Sequence, residues 1–165
     1  MVEPGIADVR SARAADIPRV LALWRAAGAI PSVTDHAGAL EGLLAHDPGA
    51  LLVAEEDGEI VGTVISAWDG WRGALYRLAV DPGRRRRGLA RTLVERGVDR
   101  LRSLGAARVH VIAAADEASA VALWKAAGFE PRPDHLRLVS TFLGPAGGGG
   151  PGGGEGSVPA GDRDC

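Results

Sequence analysis

The sequence is poor in cysteine and in aromatic residues, and it has no long apolar run. Its only cysteine among 165 residues is Cys165, which excludes a disulfide framework, a cysteine zinc site and a thiol nucleophile in a folded pocket. Aromatic residues make up 4%, so the core must be built mainly from Leu, Val, Ile and Ala. No apolar run approaches the ~18–20 residues of a membrane-spanning helix. Since the N-terminal residues also lack the pattern of a signal peptide, we expect a cytoplasmic protein with no membrane partner.

Composition divides the chain near residue 143. Residues 144–165 contain ten Gly and three Pro, and such a segment cannot bury enough apolar surface to offset the entropy of ordering. The sequence therefore predicts a single folded domain in residues 1–143, followed by a Gly/Pro-rich disordered tail in residues 144–165.

Basic charge is concentrated at one place. Of 19 basic residues only Lys125 is a lysine, and four arginines stand together as Arg84–Arg87. The tail carries three acidic residues and one basic residue, which leaves 18 of each sign before it. This balance argues against a nucleic-acid-binding surface, whereas one basic spot in a neutral domain predicts a local anion site.

The domain alternates between strand and helix patterns. Helices are predicted after Asp16 as N-cap, from near Thr34 or Asp35 to Pro48, over Leu89–Leu104 and over Ala118–Ala127. Strands are predicted at Val9–Arg13, Leu51–Glu55, Ile60–Trp68, Ala74–Val80, Val109–Ala113 and Leu136–Phe142. The crossover through the third helix should make its two flanking strands parallel. The predicted fold class is α/β: a mixed, mostly antiparallel sheet with helices on both faces and one parallel strand–helix–strand unit.

Residues 78–92 have the pattern of a strand, a tight loop and the start of a helix. The first N–H groups of a helix lack intrahelical partners and lie at the positive end of its dipole, where arginine is unfavourable. A bound anion would satisfy both the N–H groups and the guanidinium groups, and Gly88 would let the backbone approach it closely. The alternative is a solvated arginine run. Neither a Walker loop nor a dinucleotide fingerprint is present.

Two segments resemble the signatures of the GCN5-related N-acetyltransferase (GNAT) superfamily. Arg85–Ala90 is similar to the motif Arg/Gln-x-x-Gly-x-Gly/Ala, and Leu78–Pro82 to the strand before it. Ala120–Phe129 resembles the second signature, a helix that ends in Gly-Phe. The resemblance covers about residues 7–142 and is strongest over 74–130.

The resemblance implies an N-acetyltransferase that uses acetyl-CoA. It places the pyrophosphate on the loop and helix start and the pantetheine arm along the preceding strand. The implied cofactor-binding residues are Leu78, Ala79, Val80, Arg85, Arg86, Arg87, Gly88, Leu89, Ala90 and Arg91, with Trp124 against the pantetheine arm or in the core. The acceptor, a primary amine of a protein or of a small molecule, would attack directly without a covalent enzyme intermediate.

The catalytic side chains depart from the family's pattern. Trp124 stands where many members have a general-acid tyrosine, Glu117 where an asparagine is common, and Ala74 where some have a general-base glutamate. Tyr76, the only tyrosine, is the candidate catalytic residue, and a half-buried strand tyrosine is the alternative. His110 on the next strand titrates in a suitable range, or simply packs there.

Two other functions stay open. One is a catalytically silent CoA-binding regulatory module, and the other is a nucleic-acid-binding protein that uses the arginine run. We expect no metal site, no nucleic-acid partner, and a monomer or homodimer.

Overall fold

The computed structural model describes residues 7–113 and 117–142, so the predicted tail lies outside the described residues. Within these residues, five strands form one sheet in the order β1-β2-β3-β4-β5. Pairing is antiparallel from β1 to β4 and parallel between β4 and β5, which confirms the predicted mixed sheet. The strands are β1 Asp8–Ser11, β2 Leu51–Glu56, β3 Glu59–Trp68, β4 Gly73–Val80 and β5 Val109–Val111.

In the part of the chain that the structure describes, four α-helices connect and cover these strands: α1 Ile17–Ala26, α2 Ala37–His46, α3 Leu89–Ser103 and α4 Ala118–Ala126. Short 3-10 turns at Ala14–Asp16 and Pro82–Arg84 precede α1 and α3. No helix among the described residues is long and apolar enough to cross a membrane.

Two hydrophobic cores lie on opposite faces of the sheet. In β2, Leu51 and Val53 face the core that α1 and α2 cover, whereas Leu52 and Ala54 face the core with α3 and α4. Because successive side chains of a strand point to opposite faces, a continuous apolar run is required where both faces are buried. Helices on both faces are therefore confirmed.

Strand β4 contains a bulge at Arg77. In the pairing with β3, Ala79 lies opposite Thr63 and Tyr76 lies opposite Ile65, so two residues of β4 share one position of β3. Arg77 has φ 51°, a left-handed conformation that is uncommon for a residue with a side chain. The extra residue bends the strand near its middle.

Several predicted bounds were wrong. Strand β1 ends at Ser11, two residues before the predicted Arg13. Helix α2 begins at Ala37 and not at Thr34 or Asp35, because the ring nitrogen Nδ1 of His36 accepts the hydrogen bond from Ala39 N (3.2 Å). The predicted strand Leu136–Phe142 is absent: residues 132–142, described separately, contain no strand. Alternating apolar side chains favour a strand, but they do not identify another strand for it to pair with. Strand β5 ends at Val111, two residues before the predicted Ala113.

Asp16 occupies the N-cap position of α1, but its carboxylate does not cap that helix. It accepts hydrogen bonds from Arg13 N (2.8 Å), Arg10 Nη1 (2.8 Å) and Arg19 Nη2 (2.8 Å). The side chain is buried, and the hydrogen bond from the Arg10 guanidinium holds the pKa of the Asp16 carboxyl far below its usual range. Asp16 thus joins β1 to the start of α1.

We expect Asp16→Asn to lower the free energy of unfolding at pH 7 by about 3 kcal/mol, because it removes one partner of a buried ion pair. A depressed carboxyl pKa contributes stability above the unfolded pKa of about 3.9 and loses it as the pH falls towards the folded pKa. The difference between the two proteins should therefore shrink below about pH 4. Urea unfolding at pH 7 and pH 3 measures it.

Asp99→Asn is the matched control, since Asp99 pairs with Arg102 on the exposed face of α3. Exposed pairs of this kind contribute little. An equal loss in both variants would contradict the role of Asp16.

Candidate functional site: the β4–α3 loop and the open edge of β4

The loop between β4 and α3 has a rigid beginning and a glycine at its end. Asp81 N donates to Val61 O (2.9 Å), and the Asp81 carboxylate accepts from Gly83 N (2.7 Å). Gly88 has φ 82° and is the N-cap of α3. A Cβ atom built on Gly88 would meet no atom within 4 Å, so open space lies in front of the helix start.

The four arginines of the loop have different partners. Arg84 and Arg87 form ion pairs with the buried Glu56 (Nε–Oε2 2.9 Å and Nη1–Oε1 3.5 Å). Arg85 donates to the carbonyl oxygens of Val80 (3.4 Å) and Ala27 (2.9 Å). Arg86, with φ 63°, is exposed and forms no ion pair with a described residue.

The first N–H groups of α3 are unused. The first backbone bond at this end runs from Thr92 N to Gly88 O (3.0 Å), and no described group accepts from the N–H of Leu89, Ala90 or Arg91. Arg91 is exposed and pairs with Glu95 (2.8 Å), which raises the pKa of the Arg91 guanidinium. A helix N-terminus with free N–H groups, a positive dipole and nearby guanidinium groups has the properties of an anion site.

Strand β4 leaves β5 after three residue pairs. The parallel pairing covers only Gly73–Leu75 with Val109–Val111. Strand β4 continues to Val80, so its edge from Tyr76 onward has no strand beside it among the residues that the structure describes. Unpaired backbone groups of a strand can bind an extended ligand as an added strand would.

Tyr76 lies where this edge opens. The residue is 43% exposed, and its ring meets the ring of His110 edge-to-face, with centroids 6.5 Å apart. His110 is exposed, and no described residue forms an ion pair or hydrogen bond with its side chain. Two titratable side chains thus meet at the point where β4 and β5 separate.

Trp124 belongs to the hydrophobic core. It is buried in the cluster that includes Leu93 and Val94, and its ring packs edge-to-face on Phe129 with centroids 5.3 Å apart. Leu78, Val80 and Leu89 are half-buried and pack against the same cluster.

Residues 18–129 match the model of the Acetyltransferase (GNAT) family. The chain belongs to the GNAT family. It is 33% identical over 123 residues to acetyltransferase ECA0875 of Pectobacterium atrosepticum, which covers 74% of this chain and 87% of that one. It is 31% identical over 136 residues to acetyltransferase SG1711 of Sodalis glossinidius, covering 82% and 96%.

Solved structures share the GNAT fold at lower identity. The ribosomal-protein-S18-alanine N-acetyltransferase of Escherichia coli superposes with a TM-score of 0.62 at 24% identity, over 74% of this chain and 77% of that one. The PaiA N-acetyltransferase of Thermoplasma acidophilum, in complex with coenzyme A, gives 0.65 at 13%, over 74% and 89%. The protein is therefore an acetyltransferase of the GNAT family, whose acetyl donor is acetyl-CoA.

The residues present fit this cofactor. The free N–H groups and open space at Gly88 suit a pyrophosphate, and the unpaired edge of β4 suits an extended pantetheine arm. The four guanidinium groups of the loop outnumber the two carboxylates beside them, Asp81 in the loop and Glu56 at the end of β2, so this place carries a net positive charge.

Sequence reasoning missed Glu56 and the bulge at Arg77. Glu56 stands between a strand and a turn, where an exposed carboxylate is the ordinary expectation. Only the folded chain brings it under the arginine run, 28 residues later at Arg84. No local pattern marks either residue.

We expect Trp124→Ala to lower the free energy of unfolding by about 3–5 kcal/mol, because it leaves a cavity in the core. Trp71→Ala is the matched control, since Trp71 is exposed at the β3–β4 turn and should cost no more than about 0.5 kcal/mol. Urea unfolding of both variants measures this, and equal losses would contradict the core position of Trp124.

Proposed function

We propose that the protein is an N-acetyltransferase that transfers the acetyl group of acetyl-CoA to a primary amine by direct attack. The main observation in support is that the open edge of β4 leads directly to the start of α3. The unpaired edge of β4 leads from Tyr76 to Val80, and the loop then leads to the free N–H groups of α3. An extended arm that ends in a pyrophosphate matches this sequence of binding groups.

Each segment has a separate role in the proposal. The backbone N–H groups of residues 85–90 hold the pyrophosphate, with Arg86 and Arg91 as nearby cations. The backbone of Leu78, Ala79 and Val80 pairs with the pantetheine arm, and an N–H of this strand polarises the thioester carbonyl. When bound, acetyl-CoA supplies an activated acetyl group and a thiolate leaving group.

Proton transfer falls to Tyr76 in this proposal. The attacking amine forms a C–N bond as the C–S bond breaks, so one proton must leave the nitrogen and the thiolate can take one up. The phenol of Tyr76 lies at the opening of β4 and is exposed, which supports a role in moving this proton. Direct attack is supported by the absence of cysteine before Cys165, which leaves no thiol nucleophile in the folded domain.

The acceptor is a primary amine of a protein or a small molecule. We propose no nucleic-acid partner, because Arg84, Arg85 and Arg87 have partners within the fold and do not form a free cationic surface. We also propose a cytoplasmic enzyme without a membrane partner, acting as a monomer or homodimer.

Calorimetric titration with acetyl-CoA tests the cofactor site. We expect micromolar binding, no response to ATP, and a loss of at least about 100-fold in affinity for Gly88→Glu, because a side chain and a negative charge enter the anion site. Gly105→Glu is the matched control: Gly105 has φ 98°, also faces open space, and lies beyond the other end of α3. Equal binding by the parent and Gly88→Glu would refute the assignment of the loop.

An amine screen with the same protein separates the enzyme from a CoA-binding regulatory module. Release of CoA that depends on an added amine supports the enzyme. Tight acetyl-CoA binding without turnover on protein, peptide or small-molecule amines would support the silent module instead.

We expect Tyr76→Phe to lower kcat by about 100-fold, the lower range for a lost general acid or base, and to leave the Kd of acetyl-CoA unchanged. His110→Gln is the comparison, since it keeps a polar side chain beside Tyr76 but removes the imidazole. Steady-state rates over pH 6–9 measure both variants. An unchanged kcat in Tyr76→Phe would exclude the phenol from proton transfer.

A further inference from the structure

The segment that joins α1 to α2, residues 27–36, is fastened to the cofactor-binding side of the molecule by two arginines. Arg85 Nη2 donates to Ala27 O (2.9 Å) at one end. Arg77 Nη1 donates to Ile30 O (3.0 Å) in the middle, and Arg77 Nη2 donates to Asp35 Oδ2 (2.6 Å) at the other end. We call residues 27–36 the α1–α2 segment.

The pair of Arg77 and Asp35 is largely buried. Their side chains are 19% and 18% exposed. Asp35 Oδ2 also accepts from Ser32 N (2.9 Å), whereas the buried Oδ1 accepts from no described group. Arg77 is the one described cation that pairs with this carboxylate. Removing Arg77 would therefore leave a buried charge without its counter-ion, which is strongly unfavourable.

Arg77 is held by its backbone as well as by its side chain. Its carbonyl oxygen accepts from Thr63 Oγ1 (3.0 Å), and Thr63 Oγ1 in turn accepts from Trp24 Nε1 (2.9 Å). The guanidinium carbon lies 5.3 Å from the ring of Trp24. Contacts with Trp24 of α1 and Thr63 of β3 thus hold the backbone of the bulge in place. The guanidinium extends from this held backbone to the α1–α2 segment.

This residue stands between the two candidate groups of the reaction. Tyr76 precedes Arg77 and Leu78 follows it, so the α1–α2 segment is tied to the point of β4 where the thioester is proposed to lie. We propose that Arg77 is a positioning residue: its ion pair with Asp35 holds the α1–α2 segment as a wall of the acceptor site. This inference rests on the proposed function, and it adds the residue pair that sets acceptor binding.

The chemistry of the wall indicates the class of acceptor. Ile30 is 76% exposed and Val33 is 60% exposed, while Asp35, the segment's one carboxylate, is already paired. The wall therefore offers apolar contact and no free negative charge. Such a surface suits a monoamine with an apolar group near the nitrogen better than a polyamine, whose cations would find no partner there.

The decisive variant is Arg77→Gly. Glycine adopts positive φ without strain, so the bulge is kept while the guanidinium is lost. We expect the KM for phenethylamine to rise by about tenfold or more, with kcat and the Kd of acetyl-CoA changed less than about threefold. Hydrogen exchange of residues 29–35 should become faster. The parent should prefer phenethylamine to spermidine, and Arg77→Gly should lose much of that preference.

Three further variants keep the inference falsifiable if Arg77→Gly folds poorly. Asp35→Asn removes the buried charge and should raise the same KM. The double variant Arg77→Gly/Asp35→Asn should be no worse than Arg77→Gly, because the two residues act through one contact. Arg77→Lys should recover part of the KM effect, since an ammonium can replace the ion pair but not both hydrogen bonds.

The outcomes separate this inference from the proposed function. If Arg77→Gly exchanges faster in residues 29–35 but keeps the parent's KM for phenethylamine, the α1–α2 segment is not a wall of the acceptor site. If the affinity of Arg77→Gly for acetyl-CoA falls as much as its KM for the amine rises, Arg77 acts in cofactor binding instead. A preference of the parent for spermidine would overturn the acceptor class. A parent protein that binds acetyl-CoA but acetylates no amine refutes the proposed function, and the inference then falls with it.

Discussion

Strand β4 imposes the constraint on which the rest of the structure depends. On one edge it pairs with β3 along nearly its whole length, apart from the bulge at Arg77. On the other edge it pairs with β5 over three residues, and from Tyr76 to Val80 no strand within residues 7–113 and 117–142 lies beside it. A strand inside a sheet ordinarily satisfies its backbone groups on both edges, since buried unpaired groups are unfavourable. Residues 76–80 of β4 have no strand on one edge, so their backbone groups there need hydrogen bonds from solvent or a ligand. The fold must therefore leave this edge of β4 accessible.

The start of α3 follows from this constraint. The chain passes from β4 through α3 to the parallel strand β5, so the N-terminus of α3 follows the end of β4 after a short loop. Arginine at such an end opposes the helix dipole. Glu56 counters Arg84 and Arg87 from beneath the loop, and backbone carbonyls take up Arg85. The run of four arginines is therefore mostly part of the loop's own structure, and Arg86 alone of the four is exposed with neither an ion pair nor a side-chain hydrogen bond to a described residue.

Sequence patterns correctly predicted those elements that depend only on residues close together in the sequence. Helical spacing located α1 and α3, and Asp57-Gly58 marked the β2–β3 turn, where both residues have positive φ as a type I′ turn requires. The start of α2 was misplaced because Asp35, a good capping residue, is used by Arg77, 42 residues away. The bulge at Arg77 and the burial of Glu56 were not predictable for the same reason. Each depends on a partner that sequence spacing does not identify, whereas the anion loop is visible in the sequence because strand, loop and helix are contiguous.

Three arginines make contacts that a lysine could not replace. Arg10 joins Asp16 and Glu55, Arg77 joins Ile30 and Asp35, and Arg100 joins Ser66 and Asp47. Arg10 and Arg100 each bind groups from two different segments with one guanidinium, whereas Arg77 binds two positions of the α1–α2 segment and ties both to β4. A lysine ammonium is a single point on a flexible stem and cannot hold two segments at a fixed separation. In a domain with few aromatic residues, these bridges fix the irregular segments around the sheet, and the segment beside the open edge of β4 is one of them.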